Sequence, residues 1–324
     1  MTGDRHTLDD VDRRLVAALQ LDGRASWGRI AAAIGVSERT VVRRAGPLLG
    51  TRVVRVTAVR NPMCLPGVIP LVLRLRCKPG RTPLVADAVA ALANTIEVLY
   101  LDGGDEVYAV VFVPGPHRQR SLLLKDLPAM SSVTSWRTHR LLKIFPESLG
   151  WRAPLLDEEQ TGALAPAVVF RPAEPPPDQD DTDLRLIELL IADGRAPYSD
   201  LARATGISES TARRKVARLL TGGVLRLATE VDAELLGYRM EAVLWLSVRP
   251  AGLTHVGELL AAHPATRLVA VTSGSANVVA TLITRDVDEL YRVLTGTLGE
   301  LPDVSQFELT PVLRAVKRAG TVLG

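Results

Sequence analysis

The feature that most constrains this chain is that it repeats itself. Asp22-Gly23-Arg24-Ala25 returns as Asp193-Gly194-Arg195-Ala196, and Gly35-Val36-Ser37-Glu38 returns as Gly206-Ile207-Ser208-Glu209, both at an offset of 171 residues. Residues 12–49 and 183–220 are identical at 17 of 38 positions, where unrelated segments share two or three. The register persists to the end of the chain: Gly103 matches Gly274, Trp136 matches Phe307, and Leu142 matches Leu313. A sustained match of this kind marks a tandem duplication, here of a unit of about 145 residues, and any fold proposed for one copy must serve both.

Between the copies the composition changes. Residues 146–182 hold 7 of the 21 prolines, including Pro175-Pro176-Pro177, followed by Asp178-Gln179-Asp180-Asp181. Acidic, proline-rich sequence reads as an extended, semi-rigid linker. Its apolar middle, Ala163 to Phe170, is expected to dock, as an edge strand for instance. Charge is uneven: residues 1–60 carry +5, 61–146 +4, 147–182 −6, 183–232 +1 and 233–324 −1, giving +3 overall. A basic opening segment suits phosphate contact, although solvated surface gives the same count. With 47% hydrophobic residues the 324-residue chain can bury several small cores,. Cys64 and Cys77, its two cysteines, exclude a disulfide scaffold and a four-cysteine zinc site,. The four acids of Met1–Asp12 argue against a signal peptide, and the uncharged stretch Leu268–Thr284 is too broken to span a membrane,. The expected setting is a reducing cytoplasm, with no metal and no cofactor.

Each copy opens with a helical pattern. Asp9 and Asp180 are expected N-caps, with Asp12 and Asp183 in the first turn, where the helix dipole favours acids,. Leu15, Ala18, Leu19 and Leu186, Ile187, Leu190 follow at helical spacing,. Asp-Gly-Arg closes this helix. A second short helix is expected over 26–34 and 197–205, with Pro197 at an N1-like position,. Gly35-Val36-Ser37 or Gly206-Ile207-Ser208 then supplies a glycine turn, an apolar plug and a serine cap for a third helix,. β-prone runs at Val53–Val56 and Val224–Leu227 complete a helix-turn-helix with a small wing,. The expected exposed face of the third helix carries Arg39, Thr40, Arg43 and Arg44 in copy one, and Ser210, Thr211, Arg213, Arg214 and Lys215 in copy two, behind the caps Ser37 and Ser208. Arginine forks reach guanine edges and phosphates, and hydroxyls reach either, so this face predicts double-stranded DNA as partner. A lone basic face would read as solvated surface; its recurrence after the same turn in both copies favours DNA.

The rest of each copy alternates strands and helices in the order βαββαβ. Strands are expected at 68–76, 96–102, 107–113 and 133–142 with helices at 82–93 and 117–127. In copy two the strands fall at 240–248, 267–272, 277–284 and 304–312 with helices at 254–262 and 286–298. That order is the ferredoxin-like arrangement. The fold class is therefore α+β, with two winged helix-turn-helix domains (1–60 and 183–232) alternating with two ferredoxin-like domains (61–146 and 233–324) around the linker 147–182. Runs such as Leu71-Val72-Leu73 and Val243-Leu244-Trp245-Leu246 are more apolar than one covered face needs, so sheets are expected to pack on one another within or between chains,.

Together these residues resemble the leucine-responsive/AsnC (feast-famine) family of transcriptional regulators. The resemblance rests on Leu8-Asp9-Asp10-Val11-Asp12, Asp22-Gly23-Arg24, Val36-Ser37 with Arg43-Arg44, their counterparts in copy two, and the closing strands at Leu141-Leu142-Lys143 and Val312–Lys317. It implies that the βαββαβ part, a RAM-type domain, dimerises and senses small molecules, often amino acids. Most members carry one unit per chain; this chain resembles the tandem form, in which the two units of one chain can pair as a pseudo-dimer or pair across chains, and a homo-oligomer is expected. The family's effector loop, roughly Gly-x-x-Asp, matches Gly103, Gly104, Asp105 and Glu106 in copy one and Gly274, Ser275, Ala276 and Asn277 in copy two. Both depart from the pattern, and both also suit plain hairpin turns.

Two rival readings deserve a test. Some relatives are siroheme (tetrapyrrole) decarboxylases, which must hold and protonate a polycarboxylate macrocycle. Neither Val98–Val113 nor Leu268–Thr284 contains His or Arg, and His6, His117, His139, His255 and His263 are scattered at surface-like positions, so no catalytic residue is assigned. The other rival is a ligand-sensing adaptor that no longer binds DNA. Within the regulator reading the two heads differ. Gly46-Pro47 is expected to end the copy-one third helix near Ala45, since an interior proline costs on the order of 3 kcal/mol,. Arg39, Val41 and Val42 stand against Ser210, Ala212 and Arg213, which predicts an asymmetric DNA site,.

Overall fold

The computed structural model describes residues 7–61, 64, 67–165 and 177–322. In chain order, copy one contributes α1 (Asp10–Leu21), α2 (Trp27–Ile34), α3 (Glu38–Gly50), β1 (Val54–Arg60), β2 (Val68–Cys77), α4 (Thr82–Ala90), β3 (Thr95–Leu101), β4 (Glu106–Pro114), α5 (Gly115–Ser121), α6 (Leu127–Ala129) and β5 (Val133–Ile144). The join contributes α7 (Glu158–Leu164). Copy two contributes α8 (Asp181–Ala192), α9 (Tyr198–Thr205), α10 (Glu209–Thr221), β6 (Leu225–Val231), β7 (Met240–Val248), α11 (Leu253–Ala262), β8 (Thr266–Thr272), β9 (Val278–Thr284), α12 (Val287–Arg292), β10 (Val304–Arg318) and β11 (Thr321–Val322). A π-helical turn follows α5 at Leu122–Asp126 and, at the matching place, α12 at Val293–Leu298.

The elements sort into two compact units: Met1–Cys64 with Arg152–Gly237, and Leu65–Trp151 with Tyr238–Gly324. The first is a head unit holding both helix-turn-helix segments. In α1, Leu15, Val16 and Leu19 are fully buried, as are Ile30 and Ile34 of α2 and Val41 of α3. Burial of each such side chain contributes about 1.5–3 kcal/mol, so the three helices hold one another rather than standing alone. Copy two repeats this with Leu186, Leu190, Leu201, Ala212, Val216 and Leu219. The wing differs from the sequence expectation. Each copy supplies a single strand, and β1 and β6 pair antiparallel with each other from Val54↔Val231 to Arg60↔Leu225. One ribbon serves both heads, because a lone strand must find its partner in the other copy. Of the join, α7 lies on α2, where Arg29 donates to the Ala163 carbonyl at 3.0 Å. Ala163–Phe170 is not an edge strand as far as it is described: residues 163 and 164 close α7, and 166–170 lie outside the described residues.

The second unit holds both βαββαβ segments. Within copy one the strand order is β3-β4-β2-β5, and within copy two β8-β9-β7-β10, the ferredoxin-like order twice over,. The two halves then complete each other. The end of β5 pairs with β8, at Leu141↔Thr272 and Ile144↔Ala270. Strand β10 pairs with β7 through Pro311↔Ala242 and then with β3 from Val312↔Leu101. The sheet thereby closes on itself. β4 and β9 are buried along nearly their whole length, as strands covered on both faces must be,. One core lies under α4, another under α11 and α12, and a third between the two halves, built from residues including Val72, Leu99, Tyr108, Val243 and Trp245. The tails cross: Phe145, following β5, packs into the copy-two core, and Val316 of β10 packs into the copy-one core.

Candidate DNA-reading faces and effector hairpins

The turn into each third helix is built from one glycine and one serine. Gly35 and Gly206 end α2 and α9 with φ of +71° and +72°, a region that L side chains avoid,. Ser37 then accepts the amide of Thr40, and Ser208 that of Thr211. The hydroxyls link further: Ser37 Oγ lies 2.9 Å from Thr40 Oγ1, and Ser208 Oγ lies 3.0 Å from Ser210 Oγ and 2.9 Å from Thr211 Oγ1. Val41, Ala45 and Leu48, or Ala212, Val216 and Leu219, turn inward, so the opposite face meets solvent. On it Arg39 and Arg43 are exposed in copy one, and Ser210, Arg213 and Arg214 in copy two.

Two residues of the expected face turn elsewhere. Arg44 Nη1 lies 2.7 Å from Asp9 and 3.3 Å from Asp12, and Lys215 Nζ lies 2.6 Å from Asp180 and 3.2 Å from Asp183. They lock the third helix to the N-terminus of the first. Asp9 with Asp12, and Asp180 with Asp183, form reciprocal capping boxes, so each lock holds a cap and a cation together,. The bond from Lys215, joined by the Asp183 amide, lowers the Asp180 carboxyl to about 2. Burial pushes Asp12 up. The expected stop near Ala45 does not occur: α3 runs to Gly50 with Pro47 inside. The proline falls in the last turns, where one hydrogen bond is lost. Buried Leu48 anchors the segment, and the Pro47 carbonyl accepts both the amide and the hydroxyl of Thr51, at 2.9 and 2.7 Å,.

Sequence reasoning read Asp-Gly-Arg as a helix stop and missed its larger role. Arg24 donates to the carbonyls of Gly194 and Ala196 at 2.8 and 3.0 Å, and Arg195 donates to those of Gly23 and Ala25 at 2.6 and 3.0 Å. Each guanidinium also covers an aromatic ring of the other copy: Arg24 lies 4.4 Å from the centre of Tyr198, and Arg195 lies 3.9 Å from that of Trp27,. Burial, with Arg24 nearby, lowers Arg195 to about 10. The identity of Arg24 and Arg195 was the available signal; a residue kept in both copies at a turn that needs no arginine has another task.

In the sheet unit, the hairpin β3–β4 holds Gly103 and Gly104 exposed and Asp105 half-buried, with Asp105 4.0 Å from Arg76. Glu106 is buried and engaged by Arg74, Nε to Oε1 at 2.5 Å, and Arg74 also reaches Glu308 of copy two at 2.6 Å. Burial alone draws Arg74 down, but the bonds to Glu308 and Glu106 hold it above its ordinary value. Glu106 is thus not open to a ligand ammonium. In the β8–β9 hairpin the Asn277 amide accepts from Val248 N and donates to Val248 O, both at 2.8 Å, and Ser275 O accepts from Ser247. Gly274 and Ser275 are exposed and Ala276 is half-buried.

The histidines are not all superficial. His139 donates to the Ser273 carbonyl at 2.8 Å and stacks 4.7 Å from Trp245, inside the ring of strands. His255 and His263 line a groove of about 630 Å³ with Glu289, Arg292, Thr297 and Glu300 on the copy-two helical layer. His6 lies outside the described residues. Among the described residues, no group of three or more His, Cys, Asp or Glu side chains is placed to hold a metal, and no helix is long and apolar enough to cross a membrane.

These parts define a two-headed helix-turn-helix protein with two βαββαβ halves. Residues 8–47 and 180–220 match the AsnC-type helix-turn-helix domain, and residues 241–322 match the Lrp/AsnC ligand binding domain. An uncharacterised HTH-type transcriptional regulator of Pyrococcus abyssi is 30% identical over 142 residues, 44% of this chain and 89% of its own length. The HTH-type transcriptional regulator FL11 of Pyrococcus furiosus is 32% identical over 139 residues, 43% of this chain and 91% of its own. Over the whole chain the fold resembles the siroheme decarboxylase NirDL, with a TM-score of 0.61, 14% identity, and coverage of 96% of this chain and 93% of that one. The chain belongs to the leucine-responsive/AsnC family of transcription regulators, in a tandem form with two helix-turn-helix segments.

Proposed function

We propose that one chain reads double-stranded DNA with both heads at once, through Ser37, Arg39, Thr40 and Arg43 on one third helix and Ser208, Ser210, Thr211, Arg213 and Arg214 on the other. Arg44 and Lys215 act mainly as locks. The observation that carries this reading is that two polar, arginine-bearing helix faces stand exposed in a unit tied together by the β1–β6 ribbon and the Arg24–Arg195 exchange. The segments 1–60 and 183–232 serve as heads and 61–146 and 233–324 as sensing halves, joined through 147–182. The test is binding of Arg214→Ala to selected and random duplexes across a salt series. Loss of one phosphate contact weakens both and lowers the log–log salt slope by about one. Binding like the wild type on both removes the assignment, and complete absence of DNA binding by the wild type favours an adaptor.

A small metabolite is the proposed effector, held at the hairpins by Gly103, Gly104 and Asp105 or by Gly274, Ser275 and Ala276. Glu106 and Asn277 buttress these turns, since their side chains are already engaged. A thermal-shift panel of the amino acids, with Asp105→Asn as control, tests the copy-one site. The chain is read as a cytoplasmic non-enzyme. Arg74, whose guanidinium lies 5.3 Å from the centre of the Trp245 ring, is engaged by two carboxylates rather than open to a polycarboxylate substrate. A tetrapyrrole band in the visible spectrum of the purified protein would revive the enzyme. Further association of chains is assigned to the fourth strands, where Leu142 and Leu313 are 59% and 63% exposed at matching positions; sedimentation tests it,.

A further inference from the structure

Arg24 belongs to copy one, yet it ends beside the recognition helix of copy two. Its guanidinium is fixed by two carbonyls, Gly194 and Ala196, just before α9. It covers Tyr198, the first residue of α9. The same ring takes a second guanidinium, that of Arg213, 4.5 Å from its centre. Arg213 is further steadied by Glu209 one helical turn back, at 3.3 Å. A chain of contacts therefore runs from the Asp-Gly-Arg turn of copy one, through an aromatic ring, to an exposed arginine on α10.

The reverse path stops short. Arg195 of copy two covers Trp27 at 3.9 Å, but the position matching Arg213 is Val42, which has no charge to stack. Val42 is 48% exposed. So the exchange between copies is symmetric up to the ring and one-sided beyond it.

We propose that Tyr198, held by Arg24, is a positioning residue that sets the Arg213 guanidinium for its contact with DNA, so that copy one governs how copy two reads its half-site. The inference rests on the reading of α10 as a DNA-contacting helix. An exposed arginine carries considerable rotamer entropy, part of which is lost on binding. A ring that already restricts the side chain reduces that loss, and the guanidinium's weak hydration lets it stay stacked while its fork remains open to a base edge or phosphate. Because Tyr198 sits on the edge of the copy-two core, Leu can replace it with the apolar contact kept.

The experiment is a double-mutant cycle on the full chain. The probes are a duplex selected by the wild-type protein from a random library and an unrelated duplex of equal length. Arg213→Ala is expected to weaken binding to the selected duplex about tenfold. Tyr198→Leu is expected to weaken it three- to fivefold, and Tyr198→Phe to bind like the wild type, because the ring and not the hydroxyl does the stacking. In the Arg213→Ala background Tyr198→Leu adds nothing, and interference footprints of the two single variants weaken at the same bases. Circular dichroism of each variant reports the fold. A Tyr198→Leu penalty that persists undiminished beside Arg213→Ala, or no penalty at all, overturns the coupling. An Arg213→Ala chain that binds as the wild type does overturns the reading of α10 itself, which is a separate result.

Discussion

The two copies solve the same packing problems with different residues. In copy two, Asp183 is fully buried and meets two cations, Lys215 and Arg218. In copy one, the cation that Asp12 meets among the described residues is Arg44, and Pro47 stands where Arg218 would be. The cores differ in the same manner. Phe145 enters the copy-two core over Gly257, whereas Val316 enters the copy-one core, whose matching residue is Ala86. A large tail covers a glycine in copy two, and a smaller tail shares its core with an alanine in copy one. At the seam Arg74 pairs with Glu308, but the residue matching Glu308 is Arg137 and the residue matching Arg74 is Trp245. Two copies of the first half would place arginine against arginine. Duplication has made the halves complementary rather than interchangeable.

Removing Asp183 should separate the copies most. Asp183→Ala removes the buried carboxylate that Lys215 and Arg218 share, together with one arm of the capping box, and is expected to cost about 2–3 kcal/mol of stability,. Asp12→Ala, with one half-exposed cation, is expected to cost about 1–2 kcal/mol. Denaturant unfolding followed by circular dichroism measures both, and equal losses would break the comparison. Next is Gly257→Ala. Its added carbon would stand 1.9 Å from the Phe145 ring, so something must move. A cost of about 1–3 kcal/mol is expected, with partial recovery when Phe145→Val is added; no recovery would mean that the tail is not the obstacle.

Acid unfolding should follow copy two. The Asp180 carboxyl lies at about 2 when folded, below its unfolded value of about 3.9,. Its contribution is therefore present above about pH 4 and lost as pH falls from there toward 2. In copy one Asp9 is lowered but Asp12 is raised, so their slopes oppose. Asp180→Asn should flatten the acid limb of a stability–pH curve more than Asp9→Asn does. The smallest effect belongs to Arg44→Lys, which keeps the charge of a half-exposed pair and is expected to cost about 0.5 kcal/mol in the same unfolding assay.

Most elements were legible before the structure. Asp9, Asp180, Ser37 and Ser208 cap the helices as read, and the βαββαβ segments fall within a few residues of their expected places, since caps and periodicity are local signals. What escaped was contact between copies. Nothing in Val54–Arg60 says that its partner is β6 rather than a hairpin mate. Nothing in Glu106 says that Arg74 already occupies it, for the two are brought together only by the β2–β4 register. The sequence pattern ends β10 at 312, because alternation continues only weakly past Pro311, whereas the strand runs on to Arg318. Spacing alone puts Arg44 and Lys215 on the DNA face, yet the caps of α1 and α8 draw them in.

Strand exchange also gives the sheet a timetable. Strand β3 has β4 on one side and receives its other neighbour from β10, on the order of 200 residues later in the chain,. As synthesis proceeds, copy one waits with an unpaired backbone edge, and that edge is sealed only when the second half of β10 has been made. A contact so distant along the chain forms slowly. The interval is when the growing chain is most open to pairing with a neighbour on the same message, and the seam that closes it is the last part of the ring to exist.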